Sequence, residues 1–126
     1  MVITKYLLSI LVITSLTGLT SISAAAQTGY EGLFFPKGDN GPWNCQASSL
    51  GEYGGSLGVE DNILYGTEWT CELKDPRQTN SGTEFIGDCH AEGAPYRDII
   101  TLERTQNGLR VKYDAGTSEW LQCPSS

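Results

Sequence analysis

From Thr67 to Leu73 the chain alternates, with Trp69, Cys71 and Leu73 apolar and Glu68, Thr70 and Glu72 polar. A period of two is the mark of a half-buried strand. The same reading applies to Glu84–Ala91, where Phe85, Gly87, Cys89 and Ala91 form the inner set. Leu109, Val111 and Tyr113 alternate with Arg110, Lys112 and Asp114. Tyr30–Phe35 predicts a first strand ended by Pro36, and Trp43, Cys45 and Ala47 predict a second. Tyr96–Arg104, with Ile99, Ile100 and Leu102, and Ser118–Cys123, with Leu121 and Cys123 inward, predict two more. No run of ten residues carries a helical period.

Turn chemistry punctuates these runs. Asp39-Asn40-Gly41-Pro42, Asp75-Pro76 and Asn80-Ser81-Gly82 are turn signals. Glu60-Asp61-Asn62 predicts a short hairpin within Val59–Tyr65, and Gly51–Gly58 reads as a glycine-rich loop. Asn107-Gly108 is the strongest hairpin signal, because both residues tolerate positive φ. Seven to nine short strands predict an all-β fold, a small antiparallel barrel or a sandwich.

The four cysteines, Cys45, Cys71, Cys89 and Cys123, change the picture next. There is no C-x-x-C pair and His90 is the only histidine, so zinc is disfavoured and two disulfides are expected. Four cysteines allow three pairings. Cys71 and Cys89 both face inward from consecutive strands, which favours Cys71–Cys89 and leaves Cys45–Cys123.

The first 26 residues read as a cleavable secretory signal: Lys5, an apolar run over Tyr6–Leu19, and Ala24-Ala25-Ala26 before Gln27. A membrane anchor is the competing reading. However, the run is short and is broken by Ser9, Thr14, Ser15, Thr17 and Gly18. Cleavage leaves a single domain over 27–126, periplasmic or extracellular, with no later segment apolar enough to span a membrane. One lysine leaves with the signal, so 7 Lys and Arg face 15 acids, a net charge of −8. That charge disfavours nucleic acid and anionic membranes and favours a basic protein partner.

Candidate chemistry is sparse. His90 is expected on the outer face beside Asp88, and Asp88, Glu92 and Asp98 are the acids that a carboxylate hydrolase would need. Asp39-Asn40-Gly41 resembles a fragment of a calcium loop but lacks the later ligands. No cofactor is implied. The candidate partner-binding residues are Tyr53, Tyr96 with its neighbour Arg97, and Trp120 on the face opposite Leu121 and Cys123. A second apolar layer covering Trp120 would make it a core residue instead.

Trp43-Asn44-Cys45, the central Glu68-Trp69-Thr70-Cys71-Glu72-Leu73, Cys89-His90-Ala91-Glu92-Gly93 and the terminal Cys123 resemble the plan of small exported four-cysteine proteins of alphaproteobacteria. The plan is also distantly similar to the periplasmic inhibitors of c-type lysozyme, which are acidic, disulfide-bearing antiparallel β-barrels. Those inhibitors insert a loop with a small residue and a Tyr, then a lysine-bearing loop, into the lysozyme cleft. Gly93-Ala94-Pro95-Tyr96-Arg97 is only a loose echo of it, so no functional residue is carried over. The stapled β scaffold, the charge of −8 and the lack of a catalytic set, together with the resemblance, point to a non-catalytic exported binding protein, such as an inhibitor of a basic cell-wall hydrolase like lysozyme. The alternatives are a structural or envelope-stress protein with no dedicated ligand and, third, a small carboxylate hydrolase.

Overall fold

The computed structural model describes residues 17–18, 28–38 and 43–124. Nearly all of the predicted signal peptide and the Asp39–Pro42 turn lie outside the described residues. The rest is all-β. Eight strands run β1 Gly32–Pro36, β2 Leu57–Glu60, β3 Ile63–Gly66, β4 Trp69–Gln78, β5 Thr83–Ala91, β6 Ala94–Arg104, β7 Gly108–Tyr113 and β8 Gly116–Gln122. Each pairs antiparallel with the next, and β8 returns to β1, so the sheet closes into a barrel. Two disulfides, Cys71–Cys89 and Cys45–Cys123, staple it, the pairing favoured by the strand alternation.

An eight-stranded barrel has an interior just wide enough for side chains to fill. Here Phe34, Leu57, Val59, Leu64, Phe85, Ile100, Leu102, Leu109 and Val111 fill it. The alternation expected for β4, β5 and β7 is observed: Cys71, Leu73, Phe85, Cys89, Leu109 and Val111 are all buried. On β8 the phase is reversed. Trp120 stands directly opposite Leu109, whose side chain points inward, so Trp120 points inward too. It is only 4% exposed and packs 6.4 Å from the Phe34 ring. Trp120 is therefore a core residue and not a partner-binding one. Leu121 faces outward, half-buried. Cys123 lies past the end of β8, beyond the reach of the strand's alternation.

Three other expectations are corrected. Trp43, Cys45 and Ala47 form no strand. They lie on a long link between β1 and β2, with a short 3-10 turn at Ala47–Ser49 and an isolated bridge from Asn44 to Gly55. Side chains tie the link to itself: Ser49 Oγ donates to the carbonyls of Asn44 and Gln46, and Ser56 Oγ donates to Gln46, while the buried Trp43 Nε1 has no partner among the described residues. Asp75-Pro76 is a β-bulge inside β4, not a turn, with Asp75 at φ 50°. A bulge is one of the few places where a sheet accepts proline, which has no N–H to give. The Asn107-Gly108 hairpin exists, but neither residue adopts positive φ; the left-handed pair sits at Asp61-Asn62 between β2 and β3. Gly108 is needed for a different reason. A Cβ there would lie 1.9 Å from the Trp120 carbonyl oxygen.

The outer face of β6, β7 and β8 carries a ladder of charge. Arg110 stands opposite both Glu103 and Glu119, and bonds each at 3.1 and 2.8 Å. Lys112 reaches Glu103 at 2.8 Å and Lys37 reaches Glu119 at 3.1 Å. Glu103 is buried beneath its partners. Hydrogen bonds from Lys112 and Ser81, then Arg110, hold its carboxyl at about 2.

Gly108→Ala has no space to enter, because the obstacle is backbone; it should cost about 1–3 kcal/mol in urea unfolding. A carboxyl lowered in the folded state contributes stability that is present above its unfolded value and lost as pH falls through the folded one. The urea midpoint should therefore drop between pH 4.5 and about 2, and Glu103→Gln should flatten that part of the profile. Chain-entropy arguments give the 18-residue and 78-residue disulfide loops roughly 3 and 4.5 kcal/mol. Reduction should shift the thermal midpoint sharply downwards.

Candidate binding site

Strands that run up and down place alternate turns at opposite ends of a barrel. One end gathers the β1–β2 link, the Thr67-Glu68 turn, the Glu92-Gly93 turn and the Asp114-Ala115 turn. Trp69, Tyr96 and Tyr113 stand within a few residues of those turns, on the inward phase of β4, β6 and β7. Trp69 and Tyr113 are partly buried and pack against the edge of the core, and Tyr96 is exposed beside them, so the three rings stand at the mouth of the barrel.

Each ring is held by its neighbours. Gly66 pairs across the turn with Trp69, and a Cβ on Gly66 would fall within 2.2 Å of three indole atoms. The absence of that atom lets the indole lie over the strand and point across the mouth. Trp69 meets Tyr113 edge to face, with centroids 6.2 Å apart. The Tyr113 hydroxyl is 2.6 Å from Ser118 Oγ. Tyr96 stands opposite Cys89, above the Cys71–Cys89 disulfide, and remains 43% exposed.

Register creates the opening. β5 pairs with β6 from Ala94 to Leu102, but β7 joins β6 only from Thr101 to Arg104. The segment 94–100 of β6 therefore has no strand partner on its β7 side. Asp98 spans part of this gap, its carboxylate accepting from the Asp114 N–H at 3.3 Å. Beneath lies a cavity of about 200 Å³ lined by Trp69, Cys71, Tyr96, Asp98, Ile100, Tyr113 and Ala115. It opens into a groove of about 830 Å³ that also touches Arg97, Ile99, Thr101, Lys112 and Asp114.

Charge at this end is one-sided. Among the described residues, Glu52, Glu68, Glu92, Asp98 and Asp114 make no ion pair, whereas the nearby cations are engaged. Arg97 bonds Asp88 at 3.3 Å, Lys112 bonds Glu103 and Lys37 bonds Glu119. Burial and the nearby Asp98 charge push the Tyr96 phenol upward. Asp88 is held down, first by the Lys74 ammonium at 2.7 Å and then by Arg97.

The residues named from sequence are thus dispersed. Tyr96 and Arg97 are neighbours in β6 and point to opposite faces, Tyr96 to the mouth and Arg97 outward. Tyr53 is 86% exposed on the β1–β2 link, across the ring of strands from β6. Trp120 lies in the core. His90 is exposed on the outer face with Asp88. Asp88 and Asp98 occupy opposite faces of the β5–β6 hairpin, so they do not converge on a common point. Sequence reasoning assigned Trp69 and Tyr113 to the core and passed over Ile99, which is 51% exposed. The usable signal was position: an inward-phase aromatic next to a turn lies at a rim. No family model, curated protein or solved structure matches the chain.

Proposed function

We propose that the mature chain is an exported, non-catalytic binding protein that docks a basic protein on its acidic, aromatic end, with a basic cell-wall hydrolase such as lysozyme as the partner class. The observation that carries this reading is five carboxylates without ion pairs around the end of the barrel where Tyr96 is exposed, with Tyr53 exposed on the β1–β2 link and Ile99 on the outer wall of β6. Aromatic and apolar side chains supply contact area, while like charge around them selects and steers the opposite sign. Both disulfides suit an oxidising location, and the N-terminal sequence pattern supplies the route to it. Among the described residues no helix is long and apolar enough to cross a membrane.

The acids considered for hydrolysis are poorly arranged for it. Asp88 is fixed between Lys74 and Arg97, which keeps it ionised and unable to deliver a proton near neutrality. Asp98 receives a backbone N–H at the opposite face.

The test is a titration of the oxidised protein into c-type lysozyme digesting bacterial walls, at low and at moderate salt. Dose-dependent inhibition is expected, with association slowing as the screening length shrinks to about 10 Å at 0.1 M. Reversing charge with Glu68→Lys and Asp114→Lys together should slow association roughly tenfold at low salt. Absence of both inhibition and binding would remove lysozyme as the partner. Binding indifferent to salt and to the charge reversal would remove the electrostatic account.

A further inference from the structure

We propose that the barrel mouth is a site for an organic cation, an ammonium or guanidinium group on an apolar stem, held among the rings of Trp69, Tyr96 and Tyr113 and the carboxylate of Asp98. The proposal stands on the mouth's own geometry and does not require any particular protein partner.

Three aromatic rings around a small recess, with one carboxylate at its edge, provide what a poorly hydrated cation needs. The ring quadrupoles attract positive charge, and they do so best where water is excluded. Ile100 and Cys71 give the recess apolar lining, so an alkyl stem or methyl groups meet matching surface. Asp98 contributes a full negative charge. Among the described residues its carboxylate accepts from the Asp114 N–H, shared between both oxygens at 3.3 and 3.4 Å, which leaves acceptor capacity free on each.

Size narrows the ligand. Pockets for drug-sized molecules run from about 300 to 1,000 Å³. The recess of about 200 Å³ suits one side chain or one small headgroup, and the wider groove above it gives access. Competition from the protein's own cations is low. Arg97 is turned to the outer face by Asp88, and Lys112 is held by Glu103. An anion would be repelled by Asp98 and by the unpaired Glu68, Glu92 and Asp114 on approach.

Two sources share this chemistry: a free quaternary ammonium compound, and a lysine or arginine side chain presented by a protein. The experiment is an NMR titration of the oxidised, exported chain, reading the Trp69 indole N–H and the Tyr96 and Tyr113 ring signals. The probes are choline, its uncharged tert-butyl analogue, and lysine and arginine blocked at both backbone ends. Saturable shifts are expected at Trp69 with choline or a blocked amino acid, and binding of the uncharged analogue should be roughly tenfold weaker. Choline alone binding would assign a small-molecule cation, and the blocked amino acids alone a protein side chain.

Asp98→Asn keeps an acceptor for the Asp114 N–H and should weaken the cation roughly tenfold without affecting the uncharged analogue. Tyr96→Ala truncates an exposed side chain and should abolish saturable binding while the amide spectrum stays folded. The proposal is overturned if the uncharged analogue binds as well as choline or if Asp98→Asn changes nothing. It also fails if shifts centre on Trp120 instead of Trp69, or if no probe gives saturable shifts.

Discussion

Closure of the sheet between the first strand and the last is the constraint on which the rest of the structure depends. Gly32–Pro36 is short, yet it pairs with β2 on one edge and β8 on the other. Without it the sheet would have two open edges and an interior accessible to water. With it, Phe34 and Trp120 come together inside, and Leu109 and Val111 are enclosed. The close approach of Gly108 to β8 belongs to the same closure, because the two strands can pack tightly only where no side chain intervenes. Staggered pairing around the ring then leaves one end less completely covered than the other, and the aromatic mouth is the result.

Much of this fold could be read from the chain. Period-two alternation identified β4, β5 and β7 and the faces they bury, because those strands have one dry side and one wet side where they pack on the core; the far half of β4, from Lys74, is exposed on both sides. That alternation also favoured the disulfide between Cys71 and Cys89. It failed where a chain segment has no sheet to alternate against. The Trp43–Ala47 run is apolar at every second position, but its partners are a carbonyl cluster and a disulfide, not a strand. On β8 it failed because Cys123, used to set the phase, lies beyond the last paired residue. Asp75-Pro76 looked like a turn because bulges and turns recruit the same residues.

The mouth was less legible. Trp69 and Tyr113 obey the pattern of core residues, and nothing local distinguishes a ring deep in a barrel from one at its lip. That difference depends on the register between β6 and β7, which leaves the seven residues 94–100 of β6 without a partner on that side and is a property of the whole ring. The role of Gly66, which makes room for the Trp69 indole, is likewise invisible until the turn brings the two residues together. Net charge was legible, but not its partition: the outer ladder neutralises Glu103 and Glu119, whereas among the described residues Glu68, Glu92, Asp98 and Asp114 stay without an ion pair at the mouth and Glu60 and Asp61 at the opposite end.

The two disulfides differ in reach. Cys71–Cys89 closes 18 residues within one hairpin, whereas Cys45–Cys123 closes 78 and joins the β1–β2 link to the residue after β8. A chain that appears N-terminus first exposes Cys45, Cys71 and Cys89 before Cys123 exists as a partner. During that interval Cys45 can be captured by either of the other two, and only the β4–β5 hairpin, by bringing its own cysteines together, protects it. The two bonds thus make different demands on the chain: the local one needs only the β4–β5 hairpin, whereas the long one needs the residue after β8 to meet the β1–β2 link.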